Sequence, residues 1–108
     1  MAHIHQGASG CVYAHVRLVD RIDVTAWFRP NSDELRSSVR IWTDTGSAEV
    51  VDLDEVVIEK APKAAALYGV ELTEAAVAEA IAEGRREIAE HLLKKLHRVE
   101  PARAEVVS

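Results

Sequence analysis

Apolar and polar residues alternate with a period of two over the first half of the chain and recur at helical spacing over the second. Val12, Ala14, Val16 and Leu18 alternate with Tyr13, His15 and Arg17, the pattern of a half-buried strand starting near Cys11. After an interruption at Val19-Asp20-Arg21, Ile22, Val24, Ala26 and Phe28 alternate with Asp23, Thr25 and Trp27. That predicts a second strand, or one long bulged strand running from 11 to 28. The cluster Arg29-Pro30-Asn31-Ser32-Asp33 reads as a turn, because proline removes a ladder donor and Asn and Asp bond their own backbone. A third strand follows from Arg36 to Thr43, with Val39 and Ile41 on one face and Ser38, Arg40 and Trp42 on the other. Asp44-Thr45-Gly46 predicts a tight hairpin, a fourth strand spans Ser47–Leu53, and a short fifth is expected at Val56–Glu59.

The period then changes. Pro62 suits the first turn of a short helix through Tyr68, which Gly69 would end. Thr73 is a good N-cap for a long helix, with Leu72 placed to staple onto Val77. Val77, Ile81, Ile88, Leu92 and Leu96 form its apolar stripe, widened by Ala80, Ala89 and Leu93. Gly84 falls in that stripe and suggests either close approach to the sheet or simple tolerance. Glu79, Glu83, Arg86, Glu87, Glu90 and Lys94 make the opposite, solvated face, and Pro101 marks the expected stop.

These elements predict an α+β domain. A four- or five-stranded antiparallel meander carries one short and one long C-terminal helix on one face. Residues 1–10 are expected to be a flexible arm or an edge strand, 11–98 a single domain, and 99–108 a frayed tail.

With Val12, Val16, Ile22, Val24, Phe28, Val39 and Ile41 turned toward the helix, the alternation sends Tyr13, His15, Arg17, Thr25, Trp27, Arg40 and Trp42 to the other side. Both tryptophans of the chain fall there. Trp, Tyr and Arg are the residue types enriched at binding hot spots. Tyr13, His15, Arg17, Trp27, Arg40 and Trp42 are therefore the candidate binding or interface residues. The competing reading is that the arm or the 61–69 helix covers this face as a second small core.

Composition narrows the function classes. The 108 residues carry a net charge of −5, which argues against nucleic acid and anionic lipid. Charge is uneven, +1 over residues 1–43 and −6 over 44–108, a polarity that could set one copy against another. The lone Cys11 allows no intrachain disulfide and fits a reducing compartment. No apolar run is long enough to span a membrane, and the first residues do not resemble a signal peptide, so the expected location is cytoplasmic.

Other chemistry is weaker. His3, His5 and Cys11, with His15 beyond, are candidate metal ligands by type, but H-x-H-x5-C-x3-H is no recurring zinc spacing. Cys11 and His15 on one strand lie about 13 Å apart, too far for a nucleophile–base pair. The Gly7–Gly10 loop leads into a strand, whereas a phosphate cradle must lead into a helix. The acidic run Asp52-Leu53-Asp54-Glu55 lacks the calcium-loop spacing, and His91 and His97 read as surface residues. No catalytic set and no cofactor is read from the residues. The sequence favours a small non-enzymatic module that self-associates or binds a protein partner through its aromatic and Arg face. The alternative is a small enzyme or ligand-binding protein with a pocket between sheet and helices, using His15, Tyr13 or Cys11.

Overall fold

The computed structural model describes residues 2–7, 10–19 and 21–107, with the side chains of 19 and 97–107 outside the described set. The strands are β1 (His3–Gln6), β2 (Val12–Val19), β3 (Ile22–Phe28), β4 (Arg36–Thr43) and β5 (Gly46–Leu53). The helices are α1 (Asp54–Leu67) and α2 (Glu74–Val107). The strands form one sheet in the order β1-β2-β3-β4-β5, every neighbouring pair antiparallel. This is the expected α+β meander with its helices on one face.

Residues 11–28 make two strands rather than one, with a register shift between Arg17 and Val19 at the end of β2; Asp20 lies outside the described residues. The arm supplies an edge strand, β1, held to α2 by Gln6, whose side-chain oxygen meets His91 Nε2 at 3.0 Å and accepts from Lys95 Nζ. The β4–β5 hairpin turns at Asp44-Thr45 as expected, with Gly46 at φ 150°.

The expected strand at Val56–Glu59 is instead the start of α1. Its β-branched residues favour a strand locally, but Val57, Ala61 and Ala65, spaced four apart, are buried together against the sheet and α2. Packing at helical spacing outweighs a propensity difference of less than about 1 kcal/mol per residue. Pro62 therefore sits inside the helix rather than in its first turn. Gly69 does end α1: Val70 N–H reaches Ala65 O and Gly69 N–H reaches Ala66 O, with Gly69 at φ 73°. Both bonds together are the Schellman closure, which needs a left-handed residue where glycine stands.

Thr73 caps α2, its Oγ1 accepting from Ala76 N–H at 3.1 Å. The helix buries Val77, Ala80, Ile81 and Ile88. Leu93 and Leu96, expected in the stripe, are exposed at 53% and 59%, and Ala89 is exposed too. Here α2 meets only the edge strand β1, through His91 and Lys95 on Gln6 and through Leu92, and that narrow contact leaves Leu93 and Leu96 uncovered. Its backbone continues helical through Pro101, where the sequence placed a stop. An interior proline removes one backbone donor and crowds the carbonyl four residues back, at about 3 kcal/mol, and α2 carries it as α1 carries Pro62.

Both core clusters lie between the sheet and the helices. Val16, Ile22, Val24, Val39 and Ile41 meet α1 and the first turns of α2, while Val12, Ala14 and Ala26 meet Ile88. Between these two clusters Gly84 lies over the sheet, where a Cβ would stand 3.2 Å from Ala26 Cβ and 3.4 Å from Ala14 Cβ. Close approach, not tolerance, explains that glycine. Among the described residues no helix is long and apolar enough to cross a membrane.

Candidate functional site

The side of the sheet away from the helices is organised in rows that cross the strands. Register sets His5, Tyr13, Trp27, Arg36 and Leu53 in one row. The next contains His3, His15, Thr25, Ser38 and Val51. The third contains Arg17, Asp23, Arg40 and Glu49, and Trp42 lies beyond it opposite Ser47. All six candidate interface residues are therefore on one face, and among the described residues neither helix nor arm covers it: β1 widens the sheet instead. Trp42 is 42% exposed and Val51 48%, large apolar groups on the one sheet surface that no helix packs against.

The middle row has small residues, Thr25 and Ser38, where its neighbours have rings and long chains. The result is a shallow open basin of about 540 Å³. Tyr13 and Trp27 stand on one side of it; Arg17, Asp23, Arg40 and Glu49 stand on the other, and His3 and His15 close one end.

The charged row is a connected network. Arg17 Nε donates to Asp23 Oδ1 at 3.0 Å, and Trp42 Nε1 donates to Asp23 Oδ2 at 3.0 Å. Arg40 donates to Glu49 Oε2 through Nη2 at 2.8 Å and Nε at 3.2 Å. Its guanidinium lies 5.7 Å from the centre of the Trp42 ring, within cation–π range. Burial pushes the Asp23 carboxyl up, but the bonds from Trp42 and Arg17 and the Arg17 charge outweigh it and leave Asp23 below its ordinary value of 3.8.

His15 Nδ1 lies 2.9 Å from Thr25 Oγ1, which fixes the ring. Partial desolvation, followed by the neighbouring His3 and His5, lowers its pKa from 6.5, against the opposing pull of Asp23. His5 leans on Tyr13 with ring centres 6.1 Å apart. Cys11 is buried beside a second shallow depression shared with Tyr13, Arg29, Pro30 and Asn31. The candidate ligands His3, His5 and Cys11 thus do not converge. Among the described residues no three His, Cys, Asp or Glu side chains are arranged to hold a metal ion.

Tyr13 and His15 face away from the helices, so a small-molecule site using them belongs to the outer basin, while Cys11 borders the second depression. Asp23 and Glu49 were passed over in the sequence. Their signal was parity: each sits at an outward position, but its Arg partner is on another strand. Arg85 was missed as well. It donates to both oxygens of Asp54 at 2.7 Å, to Arg36 O at 3.0 Å and to Trp27 O at 3.2 Å. That clamp joins α2 to the start of α1 and to the ends of β3 and β4 behind the tryptophan row. His91 is half-buried and bonded to Gln6 rather than free on the surface; the His97 side chain lies outside the described residues. Compared with known proteins, the chain matches no family model, and no curated protein or solved structure is significantly similar to it.

Proposed function

We propose that this protein is a non-enzymatic binding or assembly module of the cytoplasm that self-associates, or takes a protein partner, through the outer face of its sheet. The observation that carries the reading is the placement of both tryptophans, Tyr13 and the arginines on the side no helix covers. A solvated sheet face ordinarily carries small and charged residues, and a large exposed apolar patch on a monomer marks a contact surface. The rigid five-stranded backing and the Arg85 clamp hold this face in one shape, which lowers the ordering cost of contact. Replacing Trp27 and Trp42 with Thr and measuring solution mass and stability tests it. The reading expects a loss of mass; a monomer before and after, with unchanged stability, contradicts it.

The basin supports a second reading, a small-molecule site. Its volume is that of an ordinary ligand pocket, and Tyr13, Trp27, Thr25, Ser38 and His15 offer ring faces and hydrogen bonds. Thermal-shift screening against small aromatic compounds checks this, with Thr25→Trp as the variant that fills the basin and must abolish any hit.

A further inference from the structure

The charged row has a symmetry that decides what the face can pack against. Read from β2 to β5 it runs Arg17, Asp23, Arg40, Glu49, signs alternating plus, minus, plus, minus. Reversed, the signs are opposite at every place. A two-fold axis parallel to the strands, lying between β3 and β4, performs that reversal. It lays β2 of one copy over β5 of the other and β3 over β4. Arg17 then faces the second copy's Glu49, and Asp23 faces its Arg40, each pair formed twice. The same operation sets Trp27 over the second copy's Arg36, since those residues stand opposite one another on β3 and β4. It sets Thr25 over Ser38, so the two shallow basins meet. An axis along the row would instead place Arg17 on Arg17 and Asp23 on Asp23.

From this we propose that the occupant of the outer face is a second copy of the chain, packed sheet to sheet about an axis parallel to the strands between β3 and β4. The inference rests on the reading of this face as a contact surface and adds its occupant and register. The stacked rows form a checkerboard, in which each charge keeps its lateral partner and gains an opposite charge across the interface. Such complementarity fixes register and rejects wrong pairings more than it adds affinity. Aligned packing of two twisted sheets is a standard arrangement. Size agrees: four overlapping strands spaced about 4.8 Å, each about 26 Å long, offer roughly 500 Å² per copy. Both copies together bury about 1,000 Å² before side-chain relief is counted, at the threshold for a specific interface. The dimer is therefore expected to dissociate measurably on dilution.

Charge reversal tests the register. Arg17→Glu and Glu49→Arg are made separately, both at exposed positions, and each is examined by sedimentation equilibrium beside the wild type. Each variant alone puts like charges in contact twice and is expected to raise the dimer dissociation constant about tenfold or more. An equimolar mixture restores opposite charges at every contact across the interface. Within its own chain Arg17→Glu still sets a second acid beside Asp23, and Glu49→Arg a second base beside Arg40, so the mixture is expected to dimerise more tightly than either variant alone. Asp23→Arg with Arg40→Glu repeats the design at the centre of the interface and decides the matter if the first pair folds poorly. A wild type monomeric at all concentrations overturns the proposal. So do single variants that dimerise normally, or a mixture that stays monomeric. If a wild-type dimer is lost in the Trp27→Thr, Trp42→Thr variant while the mixtures fail to rescue, the contact face stands and the register is wrong.

Discussion

Gly84 is where α2 comes closest to the sheet, and Gly84→Ala sets two known effects against each other. Carbon atoms pack best at about 3.5–4.0 Å, so the 3.2 Å and 3.4 Å contacts of a new methyl with Ala26 and Ala14 require the helix to lift by a few tenths of an ångström. Ile81 and Ile88, each 4% exposed, flank the site and would loosen with it. Overpacking of this kind costs about 1–3 kcal/mol. Helix propensity runs the other way, favouring alanine by about 1 kcal/mol. The expected net is between no change and a loss of about 2 kcal/mol. Urea denaturation followed by far-UV circular dichroism measures it. The Ala26→Gly background isolates the contact: removing that methyl is expected to relieve about 1 kcal/mol of the Gly84→Ala penalty as a coupling energy. A gain of the full propensity difference in both backgrounds would refute the seating of α2 on Ala14 and Ala26.

Three further outcomes follow from the packing and charges. Arg85→Ala leaves Asp54, 19% exposed, without its bidentate partner and two backbone carbonyls without a donor; the expected loss is about 2–3 kcal/mol in urea melts, and a change below about 0.5 kcal/mol would remove the clamp from the account. Stability is expected to fall toward acid in two windows. The lowered His15 pKa means the unfolded chain takes up its proton first, so stability is full above 6.5 and declines as pH drops through the lower folded value. Asp23 acts below that: its contribution is full above 3.8 and lost as pH falls through its depressed folded value. Histidine titration by NMR checks the first window, and a His15 pKa at or above 6.5 would contradict it. Ending the chain before Thr73 exposes the sheet face that Val77, Ile81 and Ile88 cover, so the 1–72 fragment is expected to lack a cooperative thermal transition.

The strands β2 to β5 and the capped start of α2 were legible because each writes its burial into a fixed period along the chain. Val56–Glu59 was not, since three β-branched residues and a Glu carry no period, and only the distant contacts of Val57, Ala61 and Ala65 make it helix. Leu93 and Leu96 misled for the complementary reason: the stripe continues where only the edge strand β1 is left to meet α2. The outer face emerged from parity alone, which assigns sides but not neighbours. That Asp23 binds both Arg17 and Trp42, and that four charges alternate across four strands, depends on cross-strand register. Arg85 went unread because nothing local marks it, and only the fold brings Asp54 beneath it.

The central claim, that the outer face is a contact surface between copies, is read most directly from the tryptophans, because both indoles of the chain stand on it. Their quenching by acrylamide, measured along a dilution series, reports how far that face is covered. The account expects strong protection at high protein concentration, giving way on dilution to the accessibility of a free face. Quenching of equal strength at every concentration would contradict it.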